Sequence, residues 1–345
     1  MSKNIVISGE TLTGKTLVAI GLAAYLRQKG KKVGYLKPVG SANDEDAAVM
    51  KQVLDLDPNL DVICPIVQTR SSYDEFIRIG HDELLARIKK AYDEISKSVD
   101  VVIIEGPKAP WYLLHVGLST PHLASEFNAS VLGLVNFPDV TAIDEIHHLH
   151  NLFKLHGIDT MYFVLNMVPP IHRKLVSEKI GPYIESLGLG YLGAIYHRRE
   201  LFSPTVREIK NILEGEMIEG PEKLDLLIDQ FMVGSMAPEN ALKWFRRAKD
   251  KAVITSGDRA DICLAAMETD TNLLILTGGI GPDVRTVARA KELGIPIMMT
   301  AHDTYTTGRL VDTLIGTVSR DDLEKVAIIE QIILEALDFR VLGIA

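Results

Sequence analysis

The sequence predicts an α/β protein: a doubly wound, mostly parallel sheet in one domain, followed by a second, smaller α/β domain. Three observations carry this expectation. Short runs rich in Val, Ile and Leu recur without strict alternation, as strands buried on both faces require. Helical patterns separate them, as right-handed crossovers between parallel strands require. At 345 residues, and at roughly 150 residues per domain, the chain has room for about two domains.

The elements follow in order. Apolar β-type runs lie over 4–8, 33–37, 101–104, 130–135, 161–166 and 191–194, with helical stretches such as 16–29 and 83–96 between them. Around 198–212 the rhythm loosens, and 214–222 carries several charges, two glycines and one proline. A boundary near residue 200 is therefore expected, giving domains over 1–200 and 205–345. A second α/β pattern has strands over 252–255, 273–277 and 296–300, with helices over 262–267 and 284–293. The tail over 321–337 is amphipathic, with Leu323, Val326, Ile329 and Ile333 on one stripe, and is expected to pack on the second domain. Trp244 and Phe245 are expected to form a helix packing stripe beside a small basic edge at Arg246, Arg247 and Lys249.

Composition narrows the function classes. Hydrophobic residues at 47% and charged residues at 24% exclude a disordered or fibrous chain. A net charge of −9 argues against a broad basic surface and so against non-specific nucleic-acid binding. The longest apolar runs, such as 18–26, fall short of the roughly 20 residues that span a bilayer. Lys3 is followed by only a short apolar stretch before Gly9, Glu10 and Lys15, which is no signal peptide. Cys64 and Cys263 make neither a disulfide framework nor a four-ligand zinc site. A cytoplasmic protein without membrane or nucleic-acid partners is expected.

The strongest motif is Gly9-Glu10-Thr11-Leu12-Thr13-Gly14-Lys15-Thr16, which matches G-x-x-x-x-G-K-[ST], with an apolar strand before it and a helix after it. Gly9 and Gly14 let the backbone curl so that successive N–H groups, Thr11 and Thr13 included, line an anion cradle at a helix N-terminus. Lys15 is placed to reach β/γ-phosphates, and the Thr16 hydroxyl to ligate Mg²⁺. Glu105 ends an apolar strand and is a candidate metal ligand, with a helix cap or surface acid as the lesser alternative. In Asp44-Glu45-Asp46, Asp46 or, with less support, Asp44 is a second candidate, against the reading of a helix start. Lys37 ends a strand on the ligand side and suits an anionic group. His147, His148 and His150 fall at neighbouring helix positions that point different ways, which opposes a metal site. Arg198 and Arg199 are set to meet either a nucleotide or a nearby acid.

The phosphate loop, the stretches YLKPVG, DEDAAVM and VVIIEGP, and VLNM occur in an order that resembles dethiobiotin synthetase and the cobyrinic acid a,c-diamide synthase group. The resemblance covers roughly residues 1–200. It implies a P-loop NTPase-like doubly wound sheet, ATP and Mg²⁺ as cofactors, and phosphate and metal handling by Lys15, Thr16, Asp46 and Glu105. Lys37 and Thr11 would lie near the phosphoryl acceptor, and Asn166 would touch adenine. A guanine-reading Asn-Lys-x-Asp is absent, since Met167-Val168-Pro169 follows Asn166. Two departures oppose dethiobiotin synthesis itself. Pro107-Lys108-Ala109-Pro110-Trp111 replaces a small glycine-rich acceptor loop, and Tyr196-His197-Arg198 stands where relatives place a proline.

In the second domain the loops after the three strands gather at one sheet edge, where ligands bind open α/β sheets. The ligand candidates there are Asp258, Arg259, Thr277, Gly278, Gly279 and Asp303. Asp258 or Ser256 is set to cap the next helix, and Arg259 to pair with Asp261 or Asp303 or to hold an anion. Gly, Asp and Thr are equally the residues of ordinary turns. No nucleophile–base pair is evident, and His302 is a lone loop histidine. The stretches GDRADICLAAM and LLILTGG resemble the DRTGG domain, found between the dethiobiotin-synthetase-like and catalytic domains of long phosphate acetyltransferases. That resemblance implies a free-standing counterpart of their N-terminal region, associated with allosteric control and assembly and carrying no acetyltransferase domain. The expected function is an ATP/Mg-binding regulatory module, with a small effector at the second domain and a homo-oligomeric or phosphotransacetylase-type partner. The alternative is an ATP-dependent ligase or phosphoryl transferase acting on a small carboxylate or carbamate, with Lys15 and Lys37 as its catalytic cations.

Overall fold

A computed structural model describes residues 3–41, 45–69, 72–314 and 323–344. The chain divides into two compact units. One runs to His197 and takes in the last described stretch; the other begins at Arg198.

The first unit has strands β1 (Lys3–Ser8), β2 (Val33–Leu36), β3 (Val39–Ser41), β4 (Ile66–Gln68), β5 (Val101–Glu105), β6 (Ser130–Asn136), β7 (Met161–Val168) and β8 (Gly190–Tyr196). Six of them form one sheet in the order β2-β5-β1-β6-β7-β8, and every pair in it is parallel. The apolar runs explain this. β2 and β5 are buried along their whole length, so helices must cover both faces. β3 and β4 form a separate two-stranded parallel sheet. Their three-residue length left no pattern to read.

Helix α1 (Lys15–Gln28) follows the phosphate loop. Its sequence is apolar on almost every side, and Leu17 through Ala23 and Leu26 are buried. Such a helix needs cover on its outer face as well as on the sheet. The C-terminal helix Leu323–Ala336 supplies it, with Ile333 seated against Gly21. Beyond that helix, Phe339 lies 5.4 Å from the Tyr25 ring, Leu337 bridges to Gly193 of β8, and Asp338 N–H donates to Leu192 O at 2.7 Å. This corrects the expectation that the tail belongs to the second domain. Its apolar stripe was legible, but the surface it covers is α1. Val326, Ile329 and Ile333 are buried, while Asp321 and the Leu323 side chain lie outside the description. Other helices used below are α2 (Glu45–Leu54), α3 (His81–Ser96) and α4 (Thr141–Lys154).

The second unit holds β9 (Glu216–Glu219), β10 (Gln230–Val233), β11 (Lys251–Ser256), β12 (Thr271–Thr277) and β13 (Ile297–Met299). Their order is β10-β11-β12-β13-β9, with β9 antiparallel on the edge. Alternation along the strands serves two cores. Val253, Leu274 and Leu276 face one, while Ala252, Ile254, Leu273 and Ile275 face the other. The edge strands β9 and β10 are half-exposed and carried no signal comparable with the central three. Phe245 is buried as expected, whereas Trp244 is exposed beneath the Arg247 guanidinium at 4.4 Å.

Candidate functional site

The phosphate loop leaves β1 at Ser8, in the middle of the sheet. Gly14 sits at φ 78 just before α1, a left-handed conformation that suits glycine. A side chain on Gly9 would meet Thr13 and the Leu134 carbonyl, so the loop lies directly on β6. Inside the turn, Thr13 donates to Glu10 O from its N–H at 3.3 Å and from its hydroxyl at 2.8 Å. The Lys15 ammonium folds back to Gly9 O at 3.0 Å and Glu10 O at 2.8 Å. Burial holds the Lys15 pKa below its ordinary value, against the opposing pull of Glu105.

Beside the loop, the parallel pairing of β1 with β5 brings Glu105 against the start of α1. Glu105 Oε2 accepts from the Thr16 hydroxyl at 3.1 Å and from the Tyr35 hydroxyl at 2.9 Å. Lys37 Nζ lies 3.3 Å from Glu105 Oε1 and 2.6 Å from Asp46 Oδ2. Burial pushes the Glu105 carboxyl up, and Lys37 is the strongest influence pulling it back. Thr16, Asp46 and Glu105 thus present a hydroxyl and two carboxylates within one hydrogen-bonded cluster. These hard oxygen donors fit a magnesium ion. Asp44 lies outside the described residues.

Tyr35 was not anticipated. It lies two residues before Lys37 on an extended segment and so shares its face, a signal available once Lys37 was placed. Glu145 on α4 was also missed. Burial and the charge of Glu10 raise its carboxyl to about 7. Asn166 lies beneath the loop, fully buried, and donates to Thr13 O at 2.8 Å. Among the described residues its Oδ1 has no partner, and neither has that of Asn136, its register neighbour on β6. Asn166 braces the loop as well as standing at the strand end expected to face a base.

The Pro107–Trp111 segment forms a pinned lip. Lys108 O accepts from the Thr11 hydroxyl at 3.2 Å, Trp111 meets His148 edge-on at 6.2 Å, and the next residue, Tyr112, accepts from Gln68. His147 turns elsewhere, to the Tyr183 hydroxyl at 2.9 Å.

In the second unit the candidate residues share the carboxyl edge of the sheet, and most of their polar atoms are spent on one another. Gly278 and Gly279, at φ 77 and 65, donate to His302 O at 2.8 Å and Thr300 O at 2.9 Å. Arg259 takes both Asp261 oxygens at 3.0 and 3.1 Å and also Met236 O. Asp303 caps the helix Thr304–Val311, and Thr277 meets Thr304 at 2.9 Å. Neither Asp258 nor Ser256 caps the helix Ala260–Met267, whose N-cap is Arg259 without a side-chain bond. Arg199, similarly, is held by Asp229 at 2.8 Å and Asp250 at 3.1 Å.

A glycine-rich turn on a parallel sheet, opening a helix with Lys15 and Thr16 beside a buried acid, defines a P-loop protein of the NTPase-like class. The chain belongs to the family described as the AAA domain, whose model matches residues 3–204, and a DRTGG domain model matches 208–314. It is homologous to the N-terminal region of phosphate acetyltransferase and to dethiobiotin synthetase BioD. A phosphate acetyltransferase of Pseudomonas putida is 23% identical over 94% of this chain and 49% of its own length. An ATP-dependent dethiobiotin synthetase BioD of Methanocaldococcus jannaschii is 30% identical over 57% of this chain and 95% of its own. The chain spans about half the length of the phosphate acetyltransferases it matches. A structure of the CBS and DRTGG domains of Clostridium perfringens pyrophosphatase, complexed with diadenosine tetraphosphate, is 27% identical over 36% of this chain and 58% of that one, with a TM-score of 0.29. A putative plasmid partition protein of Borrelia burgdorferi bound to AMPPNP is 16% identical over 58% of this chain and 89% of that one, with a TM-score of 0.41.

Proposed function

We propose that this chain is a nucleotide-binding regulatory module. Mg²⁺-ATP occupies the P-loop unit and changes how the DRTGG unit meets a small effector or a partner chain, either a second copy or a phosphotransacetylase-type protein. The observation that supports ATP and metal binding is the cluster Thr16–Glu105–Lys37–Asp46 beside an intact phosphate loop. Bound magnesium would neutralise phosphate charge there. Lys15 exchanges two loop carbonyls for phosphate oxygens, Thr16, Asp46 and Glu105 hold the metal, Lys37 balances the carboxylates, and Asn166 keeps the loop shaped. Regulation needs a nucleotide that binds two conformations unequally. The test is calorimetry and light scattering on wild type and Lys15→Ala. The variant is expected to lose ATP affinity at least about tenfold, or 1.4 kcal/mol, together with any ATP-dependent change in assembly. Wild-type affinity in the variant overturns the reading.

A second reading is an ATP-dependent ligase or phosphoryl transferase for a small carboxylate or carbamate. It is favoured by the placement of Lys37, an ammonium held between two carboxylates on the acceptor side of the loop. Faster ADP release with one small acid or amine than without it supports this reading. A screen of such acceptors with no stimulation leaves the regulatory one.

A further inference from the structure

At the far end of α1 from the phosphate loop, the first unit carries a half-open cavity of about 670 Å³, within the range of small-molecule sites. It lies outside the P-loop, and the nucleotide reading makes no use of it. Val33, Ile95 and Val99 give it apolar surface. Its charges are segregated by segment. Arg27 comes from the last turn of α1 and Lys31 and Lys32 from the turn that follows it, whereas Asp55 and Asp57 follow α2, and Glu94 lies near the end of α3.

The walls are held before any ligand arrives. Arg27 donates to Val53 O at 2.8 Å, tying α1 to α2. Lys51 donates to Leu56 O at 2.6 Å and Pro58 O at 2.7 Å, fixing the segment in which Asp55 sits at φ 51. Lys32 N–H donates to Asp100 at 2.8 Å and fixes the entry to β2. None of these bonds uses the charged ends of Lys31, Lys32, Asp55, Asp57 or Glu94. Among the described residues those five ends have no ion-pair partner. A preformed, partly apolar cavity ringed by charges of both signs, the lysines on one segment and the acids on two others, suits a ligand that carries both signs.

We propose that this cavity binds a small zwitterion with opposite charges at its two ends and an apolar middle, the class of short peptides and ω-amino acids. Its carboxylate is met by Lys31 and Lys32, and its ammonium by Asp55, Asp57 and Glu94. The experiment is calorimetric titration of the full chain with 6-aminohexanoate and dileucine, alongside the single-charge analogues hexanoate and hexylamine. One-site saturation by at least one zwitterion is expected, with the analogues at least about tenfold weaker. Lys31→Glu with Lys32→Glu, and separately Asp57→Lys, are expected to weaken the zwitterion by about the same factor while melting temperature and Mg²⁺-ATP binding stay unchanged. Saturation by neither zwitterion at roughly 10 mM, equal binding of the analogues, or indifference to charge reversal overturns the proposal. ATP binding in the same samples reports on the nucleotide site independently.

Discussion

Packing of the C-terminal helix on α1 can be tested by a paired substitution. Ile333 is 0% exposed and sits against Gly21, where a Cβ would collide with it. Ile333→Ala removes three buried carbons, about 2.4 kcal/mol at roughly 0.8 per methylene. Gly21 has no side chain to fill the hole, so a cavity cost adds to that, for a loss of about 3–4 kcal/mol. Gly21→Ala alone overpacks the contact, costing about 1–3 kcal/mol against about 1 gained in helix propensity. In the Ile333→Ala background the collision is gone and the same change should stabilise by about 1 kcal/mol. Each unit carries one tryptophan, Trp111 in the first and Trp244 in the second. Denaturant unfolding followed by Trp111 fluorescence in a Trp244→Phe background therefore reads the first unit alone. A coupling of at least about 1 kcal/mol is expected. Additive effects, or a loss seen only in the reverse background, Trp111→Phe read at Trp244, would refute the assignment of the tail to α1.

Three further outcomes test the site and its surroundings. Glu145 titrates at about 7 under burial and the charge of Glu10, so a negative charge near the loop disappears as pH falls; ATP binding should tighten between pH 8 and 6, and Glu145→Gln should flatten that slope in calorimetry. His122 is held below its ordinary value by burial, then by His156 and His81, with the His156 ring at 4.8 Å; the unfolded chain takes up the proton first, so stability should fall as pH drops from about 6.5 through the lower folded value, and less steeply in His122→Phe by chemical denaturation. Glu105→Gln should remove most of the Mg²⁺ dependence of ATP binding while leaving metal-free nucleotide affinity within about threefold, and an unchanged Mg²⁺ dependence would exclude Glu105 as a ligand.

The phosphate loop was legible because its chemistry is local: two glycines, a lysine and a threonine at fixed spacing between a strand and a helix. The six parallel strands were legible because runs buried on both faces have no polar alternation. The tail was half legible. Its stripe showed that something apolar must be covered, but only α1, apolar on all sides, told what. Tyr35 opens the YLKPVG stretch, but nothing in that stretch assigns it a contact, and its role became visible only through the face it shares with Lys37. In the second unit, Gly278, Gly279 and Asp303 spell a turn and a ligand loop equally well, and only the partners of their N–H and carboxylate groups separate the two.

The lysine clasp within the phosphate loop sets a threshold for entry. An incoming anion must win the ammonium from two carbonyl oxygens at 3.0 and 2.8 Å, and a weakly charged solute gains too little to do so. On the nucleotide reading, dense, multiply charged chains gain most from that exchange, so the clasp would favour them over monoanions by charge density.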